Sequence, residues 1–237
     1  MPESAKLENL SQSESGRLRQ LLSAIRTPVD EWVNRDSDLF DETTSAEFRS
    51  RLLTQHVFLG SPLFQETFDR ALTESLVAGG FDILPAPSGE RFWDVEINGR
   101  NVSLKSTKAK ALRKDTLAVS KLTEAAWIQD CRSPRQRKEE IDRLFSAYLE
   151  KVDRILQLRY FASDNFYEVV EIPATLLRPI LHLPLSSFSA DGPSVGIPVG
   201  QDPPDLVLKM DRSDAKITLN RIRKDVCRVH ASWKIHC

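Results

Sequence analysis

Residues 92–105 read FWDVEINGRNVSLK. Two alternating runs flank Asn98-Gly99, a dipeptide suited to a tight type I′ turn because both central residues take positive φ. The stretch is therefore expected to form a β-hairpin, with Ile97 opposite Arg100, Val95 opposite Val102 and Asp94 opposite Ser103. Side chains alternate across a strand, so Trp93, Val95, Ile97, Val102 and Leu104 are expected on one face and Asp94, Glu96, Ser103 and Lys105 on the other. A longer NGRN loop would slide the pairing by a two-residue step and leave these faces unchanged. One face is apolar, and the other gathers two carboxylates, a hydroxyl and an amine.

The chain on either side supplies the rest of an α/β unit. Ser61-Pro62 has the chemistry of an N-cap and first-turn proline, and Phe64, Phe68, Leu72 and Leu76 recur every four residues up to Gly79-Gly80, which predicts a helix. FDIL (81–84) reads as a short buried strand and PAPSGER as a turn before the hairpin. Residues 116–130 and 136–160 read as helices. NFYEVVEI (165–172) reads as a buried strand closed by Pro173, and five prolines and three glycines between 184 and 204 predict a loop excursion. DLVLKM and AKITLNRI flank Asp211-Arg212-Ser213-Asp214 as a second hairpin, and RVHASWKIH is the last strand. Residues 5–35 and 44–59, parted by the acidic RDSDLFDETTS, read as an N-terminal helical layer.

The expected fold class is α/β: a mixed central β-sheet flanked by helices, with an N-terminal helical layer (1–61), a core (62–175) and a C-terminal loop and β region (176–237) in one compact domain. No internal repeat is visible.

With 237 residues, 33 Lys and Arg against 34 Asp and Glu, and a net charge of −1, bulk charge does not announce a nucleic-acid partner. Distribution is more telling, since residues 105–138 hold ten Lys and Arg against three acids. No run approaches the roughly 18 apolar residues of a membrane span, and the N-terminus lacks a signal-peptide core, so a soluble cytoplasmic protein is expected. Cys131, Cys227 and Cys237 are too scattered for a disulfide framework. Cys227-x-x-His230 with His236-Cys237 has metal-ligand chemistry, but alternation through Val229, Ala231, Trp233 and Ile235 explains that segment as a strand with His230 and His236 on its polar face.

Two carboxylates on neighbouring pleat positions can hold a hard divalent cation such as Mg²⁺. A lysine beside them can orient or deprotonate a water, or stabilise charge building on a phosphoryl group. Together they suit metal-dependent phosphodiester hydrolysis. The same alternation is also what a solvated hairpin face shows.

The order of elements over about residues 62–130, a helix ending in Gly-Gly, a short strand, a strand opening with Asp94, a turn, a strand ending in x-x-Lys105 and a further helix, resembles the core of the PD-(D/E)xK nuclease superfamily. Within it, type II restriction endonucleases have similar chain lengths and are often homodimers, and the resemblance points there first. The resemblance implies a Mg²⁺-dependent, site-specific double-stranded DNA endonuclease of a restriction system, a homodimer with a DNA methyltransferase in the same system. Asp94 matches the first metal-binding acid and Lys105 the motif lysine. Ser103 stands where the second acid is expected, with Glu96 or Glu124 as replacement. A further acid from the preceding helix would be Glu66, Asp69 or Glu74, of which Asp69 and Glu74 flank the apolar stripe. The alternatives are a non-catalytic nucleic-acid-binding protein of nuclease-like fold and a repair nickase of the same superfamily.

Phosphate contacts dominate DNA affinity, and Lys108, Lys110, Arg113, Lys114 and Lys121 follow the candidate strand. The stretch Arg132–Lys138 reads equally as DNA contact or as charged helix surface. Base edges need Arg, Asn or Gln, which Asn220, Arg221 and Arg223 with Lys224, or the SADGPS loop (189–194), could provide.

Overall fold

The computed structural model describes residues 10–107, 109 and 112–236. Helix α1 (Gln12–Ile25) starts at a capping box in which the Ser11 side chain accepts from the Glu14 N–H and Glu14 reaches back to the Ser11 N–H. Strand β1 (Val29–Val33) precedes α2 (Glu42–Leu53), which is capped by Asp41 and continues as a π turn over Thr54–Phe58. Next come α3 (Glu66–Ala78), β2 (Ile83–Pro85), β3 (Val95–Ile97), β4 (Arg100–Thr107) and β5 (Thr116–Glu124). Helix α4 (Pro134–Lys151), again opened by a capping box, leads into β6 (Arg154–Phe161) and β7 (Phe166–Pro173). After two 3₁₀ turns the chain ends with β8 (Ser194–Val199), β9 (Leu206–Asp211), β10 (Lys216–Arg223) and β11 (Arg228–Ile235).

Seven strands form a mixed sheet in the order β1-β11-β7-β6-β4-β3-β2, and four form a second sheet in the order β5-β10-β9-β8. In the large sheet only β4 and β6 run parallel, and the crossover between them contains α4. Parallel neighbours require such a crossover. One face of this sheet packs Val102, Leu104, Leu156 and Trp233 against Phe48, Leu52, Phe68 and Leu72 of α2 and α3. The other packs Ile155, Val170 and Ile172 against Ile141, Phe145 and Tyr148 of α4 and the inner face of the second sheet. The fold is the α/β class expected, with a mixed sheet flanked by helices and a C-terminal β region.

Several local expectations fail, each for a physical reason. Residues 116–124 form a strand, because alternating Leu117 and Val119 pair with β10 and a register shift then brings Leu122 inward; helical structure is confined to a 3₁₀ turn over Ala126–Gln129. The helix read over 136–160 stops at Lys151, and 154–161 is a central strand, buried on both faces, whose near-continuous burial imitates a helix pattern. VDEWV (29–33), read as helix, is an edge strand on β11. The first turn of α3 begins at Glu66 rather than at Ser61-Pro62. FDIL was expected to be buried, but β2 is an edge strand with Leu84 exposed. The loop excursion contains β8, where Pro198 is tolerated because β8 is an edge strand. Trp93 does not share a core with Val95: a bend over 91–94 turns Phe92 and Trp93 to the α4 side.

Candidate active site

Asn98 and Gly99 both have positive φ, 47° and 77°, as a type I′ turn demands. Val95 then pairs with Val102 and Ile97 with Arg100. Asp94 lies one residue before β3, its N–H donating to the Val102 carbonyl at 2.9 Å, so it stands beside Ser103. Its Oδ2 accepts from the Leu104 N–H at 2.6 Å and from Ser103 Oγ at 3.4 Å, with Lys105 Nζ at 3.7 Å. The backbone of β4 thus orients the carboxylate, and among the described residues these contacts fall on Oδ2, leaving Oδ1 its capacity for a cation.

Asp69 comes to the same place from α3. Phe68, Ala71, Leu72 and Leu76 bury that helix, and Asp69 sits at the margin of the stripe. Burial, and after it the Asp94 charge, pushes the Asp69 carboxyl up to about 6, while Lys105 pulls it down. Ionisable groups from α3, from the approach to β3 and from β4 therefore share one field. The start of α3 is pinned there by Gln65, whose N–H donates to Ser106 Oγ at 2.7 Å, one residue past Lys105. Gln65 itself holds φ 49°, an unusual conformation for a side-chain-bearing residue. Beneath the hairpin, Ser103 is fully buried and Tyr148 of α4 approaches it; burial pushes the Tyr148 phenol well up, which keeps it neutral.

The other candidate residues are dispersed. Glu96 is half-buried on β3 opposite Asn101 and Leu84, two residues toward the hairpin tip from Asp94. Glu124, taken for a helix residue, ends β5 in the second sheet and is exposed, ion-paired to Lys121 at 2.6 Å. Glu66 is exposed within electrostatic reach of Asp69, and Glu74 is bound to Arg51 and Arg70 at 3.1 and 2.7 Å. Lys108 and Lys110 lie outside the described residues. Arg113, Asn220 and Arg221 line one cleft, whereas Lys114 pairs with Asp164 at 3.1 Å and Arg223 with Asp225 at 2.5 Å. Arg137 is structural, buried and donating to the Phe188 and Ala190 carbonyls at 2.9 and 2.6 Å.

One charged cluster has no counterpart in the sequence reading. Ligand atoms of Asp38, Glu171 and His230 lie within 4.8 Å of one another. Between β11 and β7 the register shifts at His230, and this bulge turns the imidazole inward, where alternation had placed it on the polar face. His230 Nε2 meets Glu171 at 3.0 Å, and Arg154 spans Asp38 and Glu171 at 2.8 and 3.2 Å. A guanidinium already supplies the positive charge there. The Cys227 thiol, pushed up to about 12 by burial, is a poor ligand beside it; His236 pairs with Asp30 at 2.9 Å, and Cys237 lies outside the described residues.

An acid and a lysine at the mouth of a hairpin, with a second acid brought close by a helix, have chemistry that suits work on phosphodiesters, and sequence similarity places the chain in the class of type II restriction endonucleases. Residues 3–235 match the family model described as SmaI, type II site-specific deoxyribonuclease, and the chain belongs to that family. It is 28% identical over 209 residues to the type II restriction enzyme SmaI of Serratia marcescens, covering 83% of this chain and 81% of that one. No solved structure matches the chain. Among the described residues no helix is long and apolar enough to cross a membrane.

Proposed function

We propose that the chain is a Mg²⁺-dependent endonuclease that cuts both strands of DNA at a specific site, with its catalytic centre at Asp69, Asp94 and Lys105 in a PD-(D/E)xK-type core. The observation that carries this reading is geometric: Asp94, oriented by the Leu104 N–H at 2.6 Å with Lys105 Nζ 3.7 Å away, stands where α3 brings the partly buried Asp69 within reach of its charge. Their all-oxygen chemistry fits a hard divalent cation, which Asp94 and Asp69 would hold, with Glu96 the next carboxylate along the same strand. Bound there, Mg²⁺ would supply charge neutralisation at the scissile phosphate and acidify the attacking water.

The chain's own groups do the remainder. The Leu104 N–H, with Ser103 Oγ at longer range, orients the Asp94 carboxylate. Lys105, held beside Asp94 by their ion pair, donates to a phosphoryl oxygen or aligns the attacking water with phosphorus. The Gln65–Ser106 bond keeps α3, and with it Asp69, in register with β4. Arg113, Lys114 and Lys121 are exposed cations on the segment that follows Lys105, suited to phosphate contact. The protein acts as a homodimer on a palindromic site in the cytoplasm, beside a methyltransferase that protects the same sequence.

The test is digestion of plasmid DNA with and without Mg²⁺, using Asp94→Ala and Lys105→Ala as controls. Discrete fragments with wild type in Mg²⁺ alone, lost in both variants, are expected. Binding without cleavage in Mg²⁺ or Mn²⁺ would overturn the enzymatic reading.

A further inference from the structure

The outer face of the second sheet carries a feature that the cleavage centre does not use. Leu219 of β10 pairs with Val119 of β5, but Ile222 pairs with Leu117. Asn220 and Arg221 therefore oppose Ala118 alone, which makes a β-bulge, a device that re-aims side chains. Arg221 holds φ 50° and is exposed. Both residues line an open cleft of about 710 Å³, whose wall also holds the cations Arg113 and Lys209 and, among the described residues, no carboxylate. Lys209 leans on Asp211 at 3.2 Å. Arg221 pairs with no carboxylate among the described residues, whereas Arg223, two positions on, is held by both Asp205 and Asp225 at 3.6 and 2.5 Å.

The cleft opens two residues along β4 from the cleavage centre. Thr107, the last residue of β4, lines it, about 7 Å along the strand from Lys105 at the usual rise of about 3.3 Å per residue. Gln157 stands opposite Lys105 in β6 and donates from Nε2 to the Ala118 carbonyl at 2.8 Å. The residue that faces the bulge is thus tied to the strand beside the lysine. Ala118, Ser120 and Gly196 keep the floor low, and a Cβ on Gly196 would already meet Val207 Cγ1 at 3.3 Å.

We propose that this bulge is the base-reading element of the protein. Arg221 takes the O6 and N7 of a guanine in the major groove, the pairing that its planar fork fits best, and Asn220 addresses the neighbouring base pair. The inference rests on the restriction-endonuclease reading for its ligand, duplex DNA, and goes beyond it in naming which residues choose the sequence.

Selection from a random-sequence duplex library tests it by binding rather than by cleavage, with the full chain carrying Lys105→Ala in Mg²⁺. The parent is expected to enrich one sequence. Adding Arg221→Gly, which accepts φ 50° freely, is expected to melt at or above the parent, to relax one guanine position and to weaken binding to the parent's sequence about 5-fold to 150-fold. Arg221→Lys keeps the charge, loses the fork and is expected to relax the same position. Unchanged enrichment and affinity in both variants would overturn the assignment, as would a parent that enriches no sequence. Enrichment by the parent, with no plasmid cleavage by the chain bearing Lys105, would instead overturn the nuclease reading and leave the bulge as a reader.

Discussion

Two acidic clusters in this protein look alike in composition and differ in how their charge is met. At one, Asp38 and Glu171 lie around Arg154, with His230 completing the set. The hydrogen bond from Arg154 holds Asp38 below the usual carboxylate range; for Glu171, burial pushes upward, but His230 and Arg154 outweigh it and the net direction is also down. At the other, Asp69 and Asp94 share Lys105, yet Asp69 is pushed up to about 6. The first cluster is satisfied by its own chain, whereas at the second burial first, and the Asp94 charge after it, outweigh the pull of Lys105. An unmatched field is where a cation or a phosphate-neutralising arrangement gains free energy, so the number of acids in a cluster says less than their balance.

The largest expected effect breaks the second cluster. Lys105→Ala is predicted to slow cleavage about 10²-fold to 10⁴-fold, measured as single-turnover plasmid cutting, with little change in melting temperature because Lys105 is partly exposed. Near-normal cutting by this variant would remove the lysine from the mechanism even with the fold intact. Breaking the first cluster should do the reverse. Arg154→Ala leaves Glu171 and Asp38 without their guanidinium. It is predicted to cost about 3 kcal/mol of stability in urea titrations, the lower end for a buried pair because Asp38 is half exposed, while the folded fraction cuts normally. A stable variant that cannot cut would mean that the first cluster, not the second, is the reaction centre.

The clusters should also give opposite slopes of stability against pH, measured in EDTA. Asp38 and Glu171 titrate lower when folded, so their contribution is present above the ordinary carboxylate range near 4 and is lost as pH falls through the depressed values. Asp69 titrates higher when folded, so its contribution is present below about 4 and is lost as pH rises through about 6. Asp69→Asn is therefore predicted to flatten the decline between those limits and to raise stability at pH 7 by about 1–2 kcal/mol, less than the full pKa shift because water reaches part of the group. A loss of stability at pH 7 would show that Asp69 is already matched.

Much of this was legible in sequence where local chemistry decides. Asn98-Gly99 sets the hairpin register, and the register sets Asp94 beside Ser103 and Lys105. Helix α3 announced itself by its apolar spacing, but which of its acids faces the hairpin depends on how the helix lies on the sheet, and helical angle alone left Asp69 and Glu74 level. Glu124 was misplaced because TLAVSKLTE satisfies either periodicity and only pairing with β10 resolves it. The first cluster could not be read at all. Asp38, Arg154, Glu171 and His230 come from four distant segments, and His230 turns inward through a bulge that leaves no mark on the alternation.

The smallest effect is expected at Ser103, the position where an acid was anticipated. Its Oγ lies 3.4 Å from Asp94 Oδ2, a long contact, while the Leu104 N–H at 2.6 Å does most of the orienting. Ser103→Ala should then cost about 0.5–1 kcal/mol of stability and less than about 5-fold in cleavage rate. Ser103→Asp should be worse rather than better, since a carboxylate buried over Tyr148 would add a third negative charge beside Asp94 and Asp69. If Ser103→Ala instead lost as much activity as Lys105→Ala, the serine would be acting in place of the acid, and Asp69 would be left with a structural role.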